Sequence, residues 1–258
     1  MQLTILGSGT AIPWRDRFPA GYYLEHEGTR LMVDCGPGTL RRLVQAGGDL
    51  ATLDAVLLTH YHTDHCADVA ALLFALRAPR YDGRGPLRLF GAPGLRRLVA
   101  TLTEAWPWLA PRGYELELVE FAGREPGSHA PVAIGSFEGA AIPIRHTAAS
   151  LGYRLRTDAG TIALSGDADE CDALVDLARD VDLFVCDCAA PDGAKLDGHL
   201  TPSLAGRYAA AAGARTLILT HFYPECEGHD LGGMAASVFG GRVILAEDLM
   251  ALTVGLPD

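Results

Sequence analysis

A dense cluster of histidines constrains this chain more than any other feature, because it predicts both a local fold and a chemistry. Three histidines and one aspartate fall within residues 60–65, at His60, His62, Asp64 and His65. They directly follow an apolar run at 55–59, which is typical of a strand buried on both faces. Beyond the cluster, apolar residues recur at helical spacing until Pro79. The cluster is therefore predicted to lie on a loop between a buried strand and a helix.

Strand-like and helix-like segments alternate along the rest of the chain, which favours an α/β layered fold. Runs typical of strands fall at 2–6, 22–24, 30–34, 141–145, 151–156, 161–165, 182–186, 215–220 and 242–246. Helices are expected over 170–179 and 202–212. The segment 122–136, rich in glycine and proline, is predicted to be a loop rather than a domain boundary. Candidate ligands occur on both sides of it, so we expect residues 1–258 to form a single domain.

The chemistry of the histidine cluster indicates bound metal ions. Neutral imidazole and carboxylate are ligands that zinc and similar divalent ions prefer. His60 and His62 are two residues apart and can reach one ion together, whereas Asp64 and His65 begin the helix and face a neighbouring position. Histidines in a loop can also be ordinary polar surface, but so dense a cluster favours two adjacent metal ions. Such a pair holds a hydroxide at neutral pH and is suited to hydrolysis.

Each metal ion needs further ligands from elsewhere in the chain. Three apolar runs end at a residue that could supply one, namely His146, Asp167 and His221. His199 is a fourth candidate, although it also precedes Thr201-Pro202, a pair typical of a helix start. By spacing alone, each of these residues could equally be a structural hydrogen-bonding group.

Composition limits the partners that we expect. The formal net charge is −11, whereas proteins that hold long nucleic acid usually present a basic surface, so we expect no such partner. The arginine-rich stretch 77–97 is predicted to be a solvated helix and loop, and one or two of its arginines could meet a small anionic substrate. No apolar run has the length of a membrane span, so no membrane partner is expected. The six cysteines form no regular framework, which favours reduced thiols and a cytoplasmic location.

With these residues established, the chain resembles the metallo-β-lactamase superfamily. Residues 60–65 match its His-x-His-x-Asp-His signature, and the flanking segments resemble the ribonuclease Z-like branch, in a short form without an exosite arm. The resemblance runs from Leu3 to about Asp248. The flanking segments that carry it are Leu6-Gly7-Ser8-Gly9-Thr10-Ala11-Ile12-Pro13, Asp34-Cys35-Gly36-Pro37-Gly38-Thr39, His146 with Ser150-Leu151-Gly152-Tyr153-Arg154, Ser165-Gly166-Asp167, and Leu219-Thr220-His221-Phe222.

The resemblance implies a four-layer αββα sandwich with the site along one edge. It also implies two zinc ions bound by seven residues: His60, His62 and His146 for one ion, Asp64, His65 and His221 for the other, and Asp167 between them. Mn²⁺ or another divalent metal would suit the same ligands. Dimers are frequent among relatives of this branch, so a homodimer is expected by analogy.

A catalytic pair is implied by the same resemblance. Gly198-His199-Leu200-Thr201 is similar to the segment that supplies the branch with a catalytic histidine, which a glutamate orients. The matching acid here is Asp187, whose side chain is one methylene shorter than glutamate. The shorter side chain leaves open whether the orienting hydrogen bond to His199 can form.

The resemblance, together with the pair of His199 and Asp187, implies hydrolysis of a small phosphodiester or a cyclic nucleotide by a hydroxide that bridges the two metal ions. His199 and Asp187, together with the ligand Asp64, are the predicted catalytic residues, and His199 would donate a proton to the leaving alkoxide. One alternative is hydrolysis of a lactone, thioester or sulfate ester on the same metals. Another is a metal-binding module without catalysis.

Cleavage of transfer RNA at its 3′ end is a further alternative, and two features disfavour it. Bacterial enzymes with that activity resemble this chain but carry a long arm between the ligands that match His146 and Asp167. Only 20 residues, 147–166, separate those positions here. The acidic net charge also disfavours tight binding of a polynucleotide.

Overall fold

The computed structural model describes residues 1–121 and 128–255, in which fourteen strands form two seven-stranded sheets. In spatial order the first sheet comprises β14 (Ala251–Thr253), β1 (Gln2–Gly7), β2 (Gly21–His26), β3 (Thr29–Val33), β4 (Ala55–Leu57), β5 (Leu87–Gly91) and β6 (Leu116–Glu120). The second comprises β13 (Arg242–Leu245), β12 (Thr216–Thr220), β11 (Leu183–Asp187), β10 (Gly160–Leu164), β9 (Leu151–Thr157), β8 (Phe137–Pro143) and β7 (Ala130–Ile134).

Each sheet has a parallel half and an antiparallel half. Strands β3 to β6 are parallel in the first sheet, and β10 to β13 are parallel in the second. The remaining pairs are antiparallel. In parallel sheets, functional side chains gather beyond the carboxyl ends of the strands. The parallel halves therefore provide two edges at which the predicted ligands can meet.

Helices cover the outer face of both sheets. Four pack on the first sheet, α1 (Thr39–Gln45), α2 (Thr63–Cys66), α3 (Asp68–Ala75) and α4 (Leu95–Ala105). Three pack on the second, α5 (Ala173–Leu177), α6 (Pro202–Ala212) and α7 (Leu231–Ala236). The layer order is helix, sheet, sheet, helix, so the predicted αββα sandwich is confirmed.

The central strands β3 and β4 of the first sheet are buried on both faces, which explains their apolar sequences. In β3, Leu31 and Val33 pack in the core that the two sheets share, while Met32 packs against the helices. In β4, Leu57 likewise packs in the core that the two sheets share, and Val56 packs against the helices. Successive side chains of a strand point to opposite faces, so a central strand has to be apolar at every position.

Two predictions from the sequence are wrong in part. The predicted loop 122–136 contains β7, whose Val132 and Ile134 are buried while Pro131 and Ala133 are exposed. Residues 122–127 of that prediction lie outside the described residues. The predicted helix and loop at 77–97 contains β5, a strand with an alternating Leu-Arg-Leu pattern. In both segments a strand of five residues pairs with a neighbour, and nearby glycine, proline and arginine obscured its alternation.

The segment between His146 and Asp167 is the hairpin of β9 and β10. This agrees with the prediction that the short segment forms a hairpin and carries no long arm. Within residues 1–121 and 128–255, none of the helices has both the length and the apolar character needed to cross a bilayer.

Candidate metal centre

All nine predicted site residues lie at the carboxyl ends of strands or at helix starts along one edge of the sandwich. The histidine loop follows β4, and its last two potential ligands, Asp64 and His65, lie in α2. His146 follows β8, Asp167 follows β10, and His221 directly follows β12. Asp187 is the last residue of β11, and His199 precedes α6. Segments far apart in sequence therefore deliver their polar side chains to one place.

The first group of potential ligands consists of His60, His62, His146 and Asp167. Their ligand atoms all lie within 4.8 Å of one another. Nε2 of His146 is 3.2 Å from Nδ1 of His62. His60 is buried, His146 is half-buried and His62 is exposed. This group lies at the solvent side of the centre.

The second group consists of Asp64, His65 and His221, whose ligand atoms also lie within 4.8 Å of one another. Nε2 of His65 is 3.3 Å from Nε2 of His221, and the latter is 3.5 Å from Oδ2 of Asp64. All three residues are buried. The second group therefore lies deeper in the protein than the first.

Asp167 connects the two groups through its two carboxylate oxygens. Oδ2 is 3.6 Å from Nε2 of His60 and 3.6 Å from Nε2 of His146. Oδ1 is 3.1 Å from Nε2 of His65 and 3.2 Å from Nε2 of His221. One oxygen faces each group, which is the arrangement that a bridging carboxylate requires.

The arrangement fits divalent cations on two grounds. First, Nε2 of His60 and Oδ1 of Asp167 are buried and have no well-aligned hydrogen-bond partner among the described residues, whereas buried polar atoms are normally satisfied. Second, imidazole nitrogens face each other at 3.2 and 3.3 Å. Two nitrogens bound to one tetrahedral zinc ion are about 3.3–3.4 Å apart, given zinc–nitrogen bonds of about 2.0–2.1 Å. The residues present therefore suit metal ions.

Four of the histidines use their second ring nitrogen to contact an oxygen. These contacts are His65 Nδ1 with Asp34 Oδ2 at 2.7 Å, His146 Nδ1 with the carbonyl oxygen of Gly198 at 2.8 Å, His60 Nδ1 with Thr59 Oγ1 at 3.1 Å, and His221 Nδ1 with Asp187 Oδ1 at 3.3 Å. The hydrogen bonds of His65, His146 and His60 place the ring proton on Nδ1 and leave Nε2 available to a metal ion. These three bonds also set the orientation of each ring. The contact of His221 with Asp187 is close but lacks the alignment of a hydrogen bond.

The two groups differ in their proton affinity. Burial and the neighbouring His65 lower the pKa of His60 to about 2, and burial also lowers the pKa of His146. Burial alone would lower the pKa of His221 as well, but the carboxylates of Asp167 and Asp187 raise it to about 10. The pKa of His65 is likewise raised, since Asp167 and Asp34 outweigh its burial. Carboxylates thus surround the second group more closely than the first.

Asp187 reaches His199 despite its short side chain, which answers the question left by the sequence. The carboxylate oxygens lie 3.4 and 3.3 Å from Nδ1 of His199, and the closer oxygen also accepts a hydrogen bond from the backbone of Leu200 at 2.8 Å. The ring of His199 stacks on that of His221, with centroids 5.4 Å apart. Burial lowers the pKa of His199, but its hydrogen bond to Asp187 outweighs that effect, and the net pKa is raised. His199 therefore lies directly beside both ligand groups.

Asp34 is a site residue whose role the sequence did not reveal. Its side chain is fully buried, accepts hydrogen bonds from the backbone and hydroxyl of Thr59, and contacts His65. Asp34 and the potential ligand His221 have φ values of 62° and 64°, in a left-handed region that residues other than glycine rarely adopt. The turn Asp34-Cys35-Gly36 was part of the family resemblance, and that was the one signal available.

Comparison with known proteins agrees with this geometry. The sequence profile of the β-lactamase superfamily domain matches residues 29–222. A ribonuclease Z from Mycobacterium marinum is 29% identical, over 98% of this chain and 99% of that protein. Among solved structures, the metallo-β-lactamase fold protein YhfI from Bacillus subtilis is 26% identical with a TM-score of 0.82, over 97% of this chain and 98% of that one. Human tRNase Z, short form, is 25% identical with a TM-score of 0.79, over 99% and 100% of the two chains.

The profile match covers well over half of the chain, and the similar structures share its whole fold. The fold implies a bound divalent metal, and the two groups of histidines and aspartates are suited to hold it. This chain belongs to the β-lactamase superfamily, resembles its ribonuclease Z-like members, and is a metal-dependent hydrolase.

Proposed function

We propose that the chain is a dinuclear zinc phosphodiesterase that acts on a small phosphodiester or a cyclic nucleotide. The observation that carries this proposal is the position of Asp167, whose two oxygens face the two ligand groups separately. The resemblance to ribonuclease Z, whose name denotes cleavage of a phosphodiester, supports the same class of reaction.

A pair of divalent cations bound by the seven ligands would polarise a phosphoryl oxygen and lower the pKa of bound water. The protein's own contribution is to fix the ligand atoms before the substrate arrives. Asp34, Thr59 and the carbonyl oxygen of Gly198 hold the histidine rings so that the ligand nitrogens converge. The backbone of Ala11 donates to Oδ2 of Asp64 at 3.0 Å and fixes that carboxylate as well.

His199 is proposed to protonate the leaving alkoxide. Asp187 raises the pKa of His199, so a larger fraction of the imidazole carries a proton at neutral pH than in an ordinary histidine. Its ring lies against those of His146 and His221, with centroids 4.9 and 5.4 Å away, so it borders both ligand groups. A general acid must lie within hydrogen-bond reach of the atom that it protonates, and the position of His199 beside both ligand groups supports this role.

A recess beside the metal centre supports a small organic ester as the substrate. It has a volume of about 370 Å³, is bounded by Thr63 and Asp64, and is lined mostly by apolar side chains, among them Ile12, Trp14 and Phe18. Binding sites for small molecules usually combine such apolar walls with a few polar groups. The recess would hold the organic part of a diester while its phosphate meets the metal ions.

The test is a substrate panel assayed with the zinc-loaded protein. Bis(p-nitrophenyl) phosphate and a cyclic nucleotide should be hydrolysed, and His199→Ala should lower kcat by about 10²–10⁴-fold, the usual contribution of general acid catalysis. His229→Ala is the matched control, because His229 is an exposed histidine of a loop, and it should leave kcat unchanged. Turnover of lactone, thioester or sulfate-ester substrates without any turnover of diesters would replace this proposal by the ester alternative.

Cleavage of transfer RNA precursors is a second candidate, because the ribonuclease Z of Mycobacterium marinum aligns over almost the whole chain. The short hairpin of β9 and β10 and the net charge of −11 disfavour it. A 3′-extended transfer RNA precursor, incubated with the zinc-loaded protein, distinguishes the two. Cleavage at the 3′ end at a higher kcat/KM than for any small diester would establish the nuclease instead.

A further inference from the structure

The sequence contains a single lysine, Lys195, and a series of hydrogen bonds connects it to the candidate metal centre. Lys195 lies in the segment between β11 and α6, which also carries His199. Its ammonium group is 2.7 Å from Oδ1 of Asp169 and 3.4 Å from the carbonyl oxygen of Leu196. The side chain of Asp169 is 7% exposed and that of Lys195 is 32% exposed. The pair therefore joins a buried carboxylate to a cation that solvent can still reach.

Asp169 makes hydrogen bonds to two backbone segments that adjoin the potential ligand His146. Its backbone nitrogen donates to the carbonyl oxygen of Arg145, the residue before His146, at 2.7 Å. Its Oδ2 accepts a hydrogen bond from the backbone nitrogen of Gly198 at 3.1 Å. Asp169 also follows Asp167 by two residues, so it is part of the loop that delivers the central carboxylate.

Gly198 completes the connection to His146. Its carbonyl oxygen accepts the hydrogen bond from Nδ1 of His146 at 2.8 Å. Gly198 has a φ of 82°, and a Cβ atom at this position would lie 3.0 Å from Nδ1 of His146. The close approach and the positive φ both require glycine. A continuous chain of contacts thus runs from Lys195 through Asp169 and Gly198 to His146.

We propose that Lys195 and Asp169 are positioning residues that hold His146 for the metal ion, through Gly198, and hold the segment that carries His199. The inference rests on the proposed metal centre.

Oδ1 of Asp169 also accepts a hydrogen bond from the backbone nitrogen of Glu170 at 2.8 Å, so Lys195 supplies the positive charge beside a carboxylate that is otherwise held by backbone donors. Removal of Lys195 would leave this buried negative charge without a counter-charge. Asp169 would then turn toward solvent and release Gly198, and His146 would lose the acceptor that orients its ring.

Zinc affinity tests the proposal without reference to any substrate. Lys195→Met should weaken one of the zinc sites by about 10–100-fold, the usual effect of losing a group that orients a ligand. The affinity is measured by competition with a chromogenic chelator. Lys195→Arg keeps the positive charge and should stay within about threefold of the unmodified protein. Arg156→Met is the matched control, because it removes an exposed ion pair with Glu138 on a hairpin and should not change zinc affinity.

Because the sequence has a single lysine, a second test can be made on the unmodified protein, so its main result does not depend on how well a variant folds. Acetylation of primary amines in the unmodified protein can modify only Lys195 and the N-terminus, whereas in Lys195→Arg it can modify only the N-terminus. Acetylation should weaken zinc binding by about 10–100-fold in the former and leave it unchanged in the latter.

The outcomes separate this inference from the metal centre on which it rests. If the unmodified protein binds no zinc, the metal centre itself is wrong. If it binds zinc and His146→Ala weakens that binding, but Lys195→Met and acetylation both leave the affinity within about twofold, the positioning role is overturned. If Lys195→Arg weakens zinc binding as much as Lys195→Met, the charge of Lys195 is not what positions His146, and the inference fails as well.

Discussion

The two halves of the metal centre differ in depth and in charge environment. The outer half, formed by His60, His62 and His146, includes one exposed and one half-buried imidazole. In the inner half, which pairs Asp64 with His65 and His221, every residue is buried. Buried carboxylates face the inner imidazoles, whereas the outer ones are oriented by a hydroxyl and a carbonyl oxygen. The outer half is therefore ready to accept a cation at neutral pH, while the inner half competes with protons for its ligands.

Asp167 connects these two halves of the centre. It is the one ligand whose two oxygens face different halves. A change at Asp167 should affect both halves, whereas a change at any other ligand should affect mainly its own.

The largest effect is expected for Asp167→Ala. Loss of the shared carboxylate should reduce bound zinc from two equivalents to less than one and lower kcat by about 10³-fold or more, because metal ions supply most of the charge stabilisation in such hydrolysis. Metal content by mass spectrometry and turnover of the diester panel provide the measurement. Retention of two zinc equivalents would show that the two halves do not depend on this residue.

His65→Ala and His62→Ala should differ in their effect on stability. His65 is buried against Asp34, so its removal leaves an unpaired buried carboxylate and should lower Tm by roughly 5–15 °C. His62 is exposed, so its removal should leave Tm of the metal-free protein nearly unchanged while zinc content falls from two equivalents to one. Differential scanning calorimetry of the metal-free variants measures both Tm values. Equal shifts in Tm would contradict the finding that His65 is more deeply buried than His62.

Asp34→Ala should weaken zinc binding mainly in the inner half. Asp34 contacts His65 directly but reaches the outer half through the hydroxyl of Thr59, which contacts His60, so one of two zinc affinities should fall by about 10–100-fold and the other by less. Chelator competition resolves the two affinities. Asp54→Ala removes another aspartate that accepts a backbone hydrogen bond, from Arg30, away from the site, and serves as the control. An equal loss at both zinc sites would mean that the halves are not separable.

The smallest effect that we expect is a difference between the two halves in the number of protons released when zinc binds. The pKa of His221 is raised to about 10, so this residue is protonated at pH 7–9 and must lose its proton when the inner half binds zinc. The lowered pKa values of His60 and His146 leave those two rings neutral above pH 7, so neither of them should release a proton. Inner-half affinity should therefore still rise between pH 7 and 9, while outer-half affinity is flat.

Titration calorimetry in buffers of different ionisation enthalpy counts the protons released on zinc binding. His62→Ala, which should retain only the inner half, ought to release as many protons as the unmodified protein. If proton release disappears in His62→Ala, the assignment of charge to the two halves is reversed.

Much of the site was predictable because its residues carry a local signal. Each ligand comes at the end of an apolar run or within one dense cluster, and the carboxyl ends of parallel strands meet at one edge. Spacing alone placed the histidine loop, and the resemblance added the pairing of distant residues. The bridging position of Asp167 was implied by the resemblance, and its distances to both groups agree with that expectation.

The orienting residues were not predictable, because their partners are distant in sequence. Asp34 and His65 are 31 residues apart, and Gly198 and His146 are 52 apart, so no spacing pattern links them. Nor could the sequence show that the carboxylate of Asp187 lies close to both His199 and His221. Strands β5 and β7 were missed for a different reason, since β7 has only two buried residues, and the short β5 lies within a stretch rich in arginine.

A crystal structure of the zinc-loaded protein, with anomalous diffraction at the zinc edge, tests most directly whether Asp167 lies between two metal ions. We expect two anomalous peaks, one on each side of the Asp167 carboxylate, the first contacted by His62 and the second by His65. A single peak, or a peak that touches none of the seven ligands, would contradict this arrangement.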